Sequence, residues 1–137
     1  MIGATAALGD SRRAAVAIDV LRRGWPVTVQ HLDNALTVLA IETAQDVPGA
    51  YAMLLSASRA ATLKLTNQRA AADGDHPVLI KAPADLDLRL ALAIADPSLD
   101  LVYPMKGPFA ALALDDGPSA TAAIELARLA GLLPAFL

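Results

Sequence analysis

The chain has 137 residues, 55% of them hydrophobic and only 4% aromatic, with a net charge of −3 and a pI near 5.1. That length is one domain with room for a real core, and the composition makes that core aliphatic. The charge gives no basic footprint for nucleic acid or an anionic membrane surface, and the absence of cysteine excludes disulfides, thiol catalysis and thiolate zinc sites.

A positive mean hydropathy of +0.47 raises the question of a membrane span. The longest conspicuously uncharged run, Val47–Ser58, is interrupted by Pro48 and Gly49. It falls short of the roughly 20 apolar residues a spanning helix needs. The opening MIGATAALGD lacks the basic region and apolar run of a signal peptide. A soluble, cytoplasmic chain is the expectation.

Asp10 reads as an N-cap for a helix over Ser11–Arg23, with Ala14, Ala17, Ile18 and Leu21 on its buried face and Gly24 as its stop. Arg22 and Arg23 sit where cations suit the helix dipole, which accounts for them as capping and solubility residues. Pro26–His31 alternates as a strand, and Leu36–Glu42 reads as a second, more fully buried one. Leu32–Asn34 between them is turn chemistry, Asp33 and Asn34 both tolerating positive φ, so a hairpin is predicted. Tyr51–Ser56 is a short apolar run between breakers. Its length favours a strand over a buried helix, a choice that pattern alone leaves open.

Ser58 reads as the N-cap of a short helix, Arg59–Leu65, and Thr66–Pro77 as a polar loop. Val78–Ala82 is another strand. Asp85–Ala95 is a helix with Leu86, Leu90, Ala93 and Ile94 inward, ended by Asp96-Pro97. Leu99–Tyr103 and Phe109–Leu114 read as short strands around a Pro104–Pro108 bend. The last helix, Ser119–Leu133, places Thr121, Glu125 and Arg128 on one narrow polar stripe and is expected to be buried on most of its circumference. Pro118 suits its first turn, Gly131 its C-terminal cap, and Pro134 its end. Helices and strands thus alternate, and the early hairpin argues against a purely parallel sheet. The fold class is α/β (α+β), a mixed twisted sheet covered by helices, in a single domain over 1–137.

No glycine-rich phosphate loop precedes a helix, and there is no nucleophile elbow. Asp85 and Asp87 read as first-turn residues rather than a general acid and base, and Asp115-Asp116 has the same explanation. His31 and His76 are far apart in sequence and fit strand-end or loop positions better than a shared metal site.

Several stretches, in order and over nearly the whole chain, resemble 3,4-dihydroxy-2-butanone 4-phosphate synthase, the riboflavin-pathway enzyme that turns ribulose 5-phosphate into a four-carbon phosphate and formate. They are AIDVLRRGWPVTV at Ala17–Val29, VLAIETA at Val38–Ala44, SRAATLKL at Ser58–Leu65, LAIADP at Leu92–Pro97 and the closing ATAAIELARLAGLLPA. The last is the most specific, being close to the family's final helix. The resemblance implies that family's mixed sheet wrapped by helices.

The departures bear on chemistry. Where the family has a long acidic loop with a Glu-Asn-Glu-Gly-Asp core supplying metal and substrate ligands, this chain has only HLDNA, His31–Ala35, with Asp33 as its one acid. Where the family places Arg-x-Gly-His-Thr-Glu before the closing helix, its His a metal ligand, this chain has DGPSAT, Asp116–Thr121. The family's Pro-Gly-His segment is replaced by MKGPF, Met105–Phe109. Glu42 does match a family glutamate.

Enolising a sugar phosphate needs a Lewis acid on the carbonyl oxygen and a positioned base. With both ligand sets gone, the resemblance implies a degenerate synthase domain of the kind found ahead of GTP cyclohydrolase II. Its implied role is dimerisation and support, as part of a longer protein. No cofactor is then expected here: the magnesium ligands are missing and zinc belongs to the downstream cyclohydrolase. A homodimer is expected from the family, and neither nucleic acid nor membrane is expected as a partner.

Two alternatives use this chain's own residues. One is residual synthase activity, with Asp33 and Glu42 as catalytic candidates beside His31 and Lys106. The other is a regulatory module binding sugar phosphates or nucleotides in the old cleft, with Arg59, Lys81 or Lys106 as phosphate anchors. Each of these cations also reads as an ordinary solvated surface residue.

Overall fold

In a computed structural model of the chain, residues 2–3, 8–46, 52–63, 76–102, 109–114 and 117–137 are described. The strands are β1 (Ile2–Gly3), β2 (Val27–His31), β3 (Asn34–Val38), β4 (Ala52–Leu55), β5 (Val78–Lys81), β6 (Ala111–Leu112) and β7 (Ala135–Phe136). The helices are α1 (Leu8–Arg22), α2 (Ala57–Thr62), α3 (Leu88–Ala95) and α4 (Gly117–Leu129). The mixed α/β class is as expected from the sequence.

β2 and β3 form the predicted hairpin, in register from Val27 opposite Val38 to His31 opposite Asn34, and β1 runs parallel beside β2. A second sheet has the order β6-β5-β4-β7, antiparallel throughout. Residues 39–41 join the two. Leu39 and Leu137 exchange backbone bonds of 3.4 and 2.9 Å, and the Ile41 N–H donates to the Ala135 carbonyl at 3.1 Å. This is why β3 covers Asn34–Val38 rather than Leu36–Glu42. The buried run Leu39-Ala40-Ile41 leaves β2 and continues against β7 instead.

Adjacent residues on a strand point to opposite faces, and this assigns the helices to two layers. Ala40, Leu54 and Phe136 pack with Ala17, Leu21, Ala123 and Ala127 of α1 and α4. Ile41, Met53, Leu55 and Ala135 pack with Ala60, Ala91 and Ile94 of α2 and α3. β7 therefore belongs to both cores. It is absent from the sequence reading because two residues after Pro134 carry no periodicity, yet Phe136 is fully buried.

Several expected boundaries move for local reasons. α1 begins at Leu8, so Asp10 falls inside it. In the hairpin turn the residue at positive φ is Leu32, at 53°, not Asp33 or Asn34. α2 is capped by Ser56 rather than Ser58: the Ser56 hydroxyl accepts from the Arg59 N–H at 3.2 Å. α3 starts at Leu88 because the Asp87 carboxylate accepts from the Leu90 N–H at 2.8 Å. The expected strand from Leu99 is instead a 3-10 turn, Pro97–Leu99, followed by a further turn to Val102. Asp96 organises it, accepting from both the Ser98 N–H and hydroxyl. β6 is shorter than Phe109–Leu114. Lys64, Leu65, Tyr103, Asp115 and Asp116, and most of the Thr66–Pro77 loop, lie outside the described residues.

α4 keeps its polar stripe, with Thr121, Glu125 and Arg128 exposed and Ala120, Ala123, Ile124, Leu126 and Ala127 buried, but it ends at Leu129, which is 59% exposed, rather than at Leu133. Gly131 takes φ of 74° after it, and the Leu132 N–H bonds back to the Ala127 carbonyl at 2.9 Å. Gly24, after α1, has φ of 79° and a stricter reason to be glycine, because a Cβ there would collide with the Thr43 carbonyl oxygen. Among the described residues no helix is long and apolar enough to cross a membrane.

Candidate functional site

The residues singled out from the sequence occupy different parts of the fold. Asp33 is exposed in the hairpin turn, with His31 half-buried at the end of β2 and Leu32 between them. Glu42 is exposed beyond the other end of β3, where its Oε2 accepts from the Leu133 N–H at 3.4 Å. Residues 34–41 lie between the two carboxylates, and the five-residue β3 strand alone spans on the order of 16 Å. Across that extended segment they cannot share one ion. Among the described residues no three metal-type side chains converge. His76 is exposed just ahead of β5, and Lys81 is exposed at that strand's end. Lys106 lies outside the described residues.

Arg59 departs from the surface placement its charge suggests. It is 5% exposed, and its guanidinium is engaged within the protein. Nε donates to the Ile94 carbonyl at 2.7 Å, and Nη2 to the Ala93 carbonyl at 3.3 Å. Nη1 and Nη2 form a bidentate pair with the Asp100 carboxylate at 2.8 and 2.7 Å. Four of its five N–H groups are thereby used. The planar fork suits this task, because it satisfies carbonyls in the last turn of α3 and a carboxylate in the following turn together. The serine cap of α2 fixes the Arg59 backbone at the start of the same arrangement. Arg59 thus ties α2 to α3 and to the turn at Asp100, a partner 41 residues away that no local pattern reveals.

Two other tethers were also hidden in the sequence. Arg22 Nε donates to the Ala130 carbonyl at 2.9 Å, joining the ends of α1 and α4. The Thr43 hydroxyl donates to the Leu21 carbonyl at 2.6 Å and fastens the exit of α1 to the segment after β3. Arg22 does act as a helix-end cation, but on the carbonyl of a neighbouring helix.

A concave surface lies elsewhere. Arg12, Arg13, Val16, Ala17 and Val20 of α1 line a groove of about 320 Å³ with Pro26 and Val27. Val16 is 64% exposed, and Trp25, next to Pro26, is 55% exposed with the Arg23 guanidinium 5.6 Å from its ring centre. Among the described residues, none of the site candidates named from the sequence lines this groove. Among the described residues its charged lining groups are arginines, whose N–H groups donate without accepting. The lining is otherwise aliphatic, so it suits apolar side chains edged by carboxylates better than a hydroxyl-rich sugar.

No protein-family model matches the chain. No solved structure matches it either. A protein named GTP cyclohydrolase-2, from Azospirillum brasilense, is similar to it, with 31% identity over 124 residues. The match covers 87% of this chain and 32% of that relative, so the chain spans about a third of the relative's length.

Proposed function

We propose that this chain is a non-catalytic N-terminal domain of a riboflavin-biosynthesis protein of the GTP cyclohydrolase II type. It acts in the cytoplasm as a dimerisation or support domain, and the zinc-dependent chemistry belongs to the cyclohydrolase portion. The observation that carries this reading is the similarity to a GTP cyclohydrolase-2 across most of this chain but only a third of the relative. A segment matching one third of a longer enzyme suits an accessory domain.

The placement of the candidate residues supports the non-catalytic part. Proton abstraction next to a carbonyl needs a base and an electrophile held within contact of one substrate. Asp33 and Glu42 stand beyond opposite ends of β3, and Arg59 is engaged with Asp100 and the end of α3. The direct test incubates the purified chain with ribulose 5-phosphate and magnesium and assays formate. No release at high protein concentration is expected, and release would return the synthase chemistry to this chain. The intact mass of the native protein tests the other part: a value well above 14.1 kDa is expected.

A further inference from the structure

We infer that the exposed face of α1 is the surface through which two copies of this chain pair, with their α1 helices antiparallel about a two-fold axis at Val16. The inference rests on the dimerisation part of the proposed function and adds to it the surface and the register.

The argument starts from the order of charges on the helix. Arg12 and Arg13 precede Val16 by four and three residues, and Asp19 and Val20 follow it by three and four. At about 100° per residue, Arg12 and Asp19 fall on one flank of the Val16 stripe, and Arg13 and Val20 on the other. A two-fold axis through Val16 inverts the helix direction and keeps each flank on its own side. Arg12 of one copy then lies level with Asp19 of the second, and the symmetric pair forms at the same time. Arg13 lies beside the apolar Val20. A parallel pairing would instead set Arg12 of each copy against Arg13 of the other, like charges on both flanks. The charge pattern therefore selects one orientation and one register.

The surface also has somewhere to put apolar side chains. Val16 is well exposed at the centre, and the groove of about 320 Å³ beside it is walled by Ala17, Val20, Pro26 and Val27. Val16 and Val20 of a second copy are the right size and chemistry to fill it. Trp25 extends the apolar surface past the groove, and tryptophan and arginine are the residue types that anchor interfaces. Proline at 26 offers no N–H, so a strand from a partner would find no donor there, whereas a helix brings its backbone bonds already satisfied. Asp19 keeps its exposed contact with Arg23 at 2.9 Å, and its carboxylate has acceptor capacity for a second arginine.

The test is sedimentation equilibrium on the 137-residue chain over a range of concentrations, with circular dichroism confirming that each variant is folded. A concentration-dependent dimer is expected. Val16→Arg, which places two arginines at the axis, should raise its dissociation constant by about 30-fold or more. Arg12→Asp and Asp19→Arg should each weaken the dimer, and the double variant Arg12→Asp/Asp19→Arg should restore it. A dimer that Val16→Arg leaves intact would overturn the α1 surface while dimerisation stands. A dimer weakened by both single charge changes and not restored by the double variant would overturn the register. A monomer at every concentration would overturn both.

Discussion

On the α2–α3 side of the sheet, the guanidinium of Arg59 is buried and gives its donors to Ile94, Ala93 and Asp100. On the α1 side, Arg12 and Arg13 stand exposed along the edge of an aliphatic groove, with no ion-pair partner among the described residues. The same side chain is a strut in one place and a free charge in the other. Burial makes the difference. A buried guanidinium must have its hydrogen bonds supplied by the protein, so removing it strands the groups that faced it. An exposed one is hydrated, and removing it costs the fold little.

Arg59→Met breaks this comparison most directly. It leaves the Asp100 carboxylate, itself 31% exposed, without its fork and frees the carbonyls at the end of α3. A loss of about 2–4 kcal/mol is expected in urea denaturation, below the value for a fully buried pair because water reaches Asp100. Arg59→Lys should recover only part of it, since an ammonium cannot bridge both carboxylate oxygens and the Ile94 carbonyl. Equal stability of Arg59→Met and the parent would mean that the pair contributes nothing.

The α1 region should depend on its backbone instead. Gly24→Ala forces a side chain into positive φ and against the Thr43 carbonyl oxygen, for a cost of about 2–3 kcal/mol. Gly131→Ala has nearly the same φ and open space around it, so only the conformational cost of about 1 kcal/mol should appear. Matching thermal shifts for the two alanines would contradict the close approach at Thr43. Ser56→Ala removes the cap of α2 and the acceptor of the Arg59 N–H, for about 1 kcal/mol by chemical denaturation. Arg12→Ala closes the series. The stability of the monomer should stay within about 0.5 kcal/mol of the parent, which a melt at low protein concentration would check.

The hairpin was legible because its alternation and its turn residues lie within a dozen positions of one another. α4 was legible from its narrow polar stripe. The end of β3 was not, because Leu39-Ala40-Ile41 reads as more of the same strand until β7 is present to take it over. The helix starts moved by two or three residues because more than one plausible cap was available, and side-chain geometry selected Ser56 and Asp87. Among the candidate site residues, Asp33 and Glu42 could be named as acids but not placed. Their distance is set by the strand between them.

The sequence alone determined an aliphatic core, a mixed α/β class, the polar stripe of α4 and the lack of cysteine chemistry, since all of these follow from composition or from periods of two and 3.6 residues. Only the tertiary structure decided that Phe136 closes the core, that Arg59 finds Asp100, and that Arg12, Val16 and Asp19 share one exposed face beside a groove. Each of those depends on residues that are distant in sequence or on which side of a helix is left uncovered. Packing fixes both, and no local pattern encodes either.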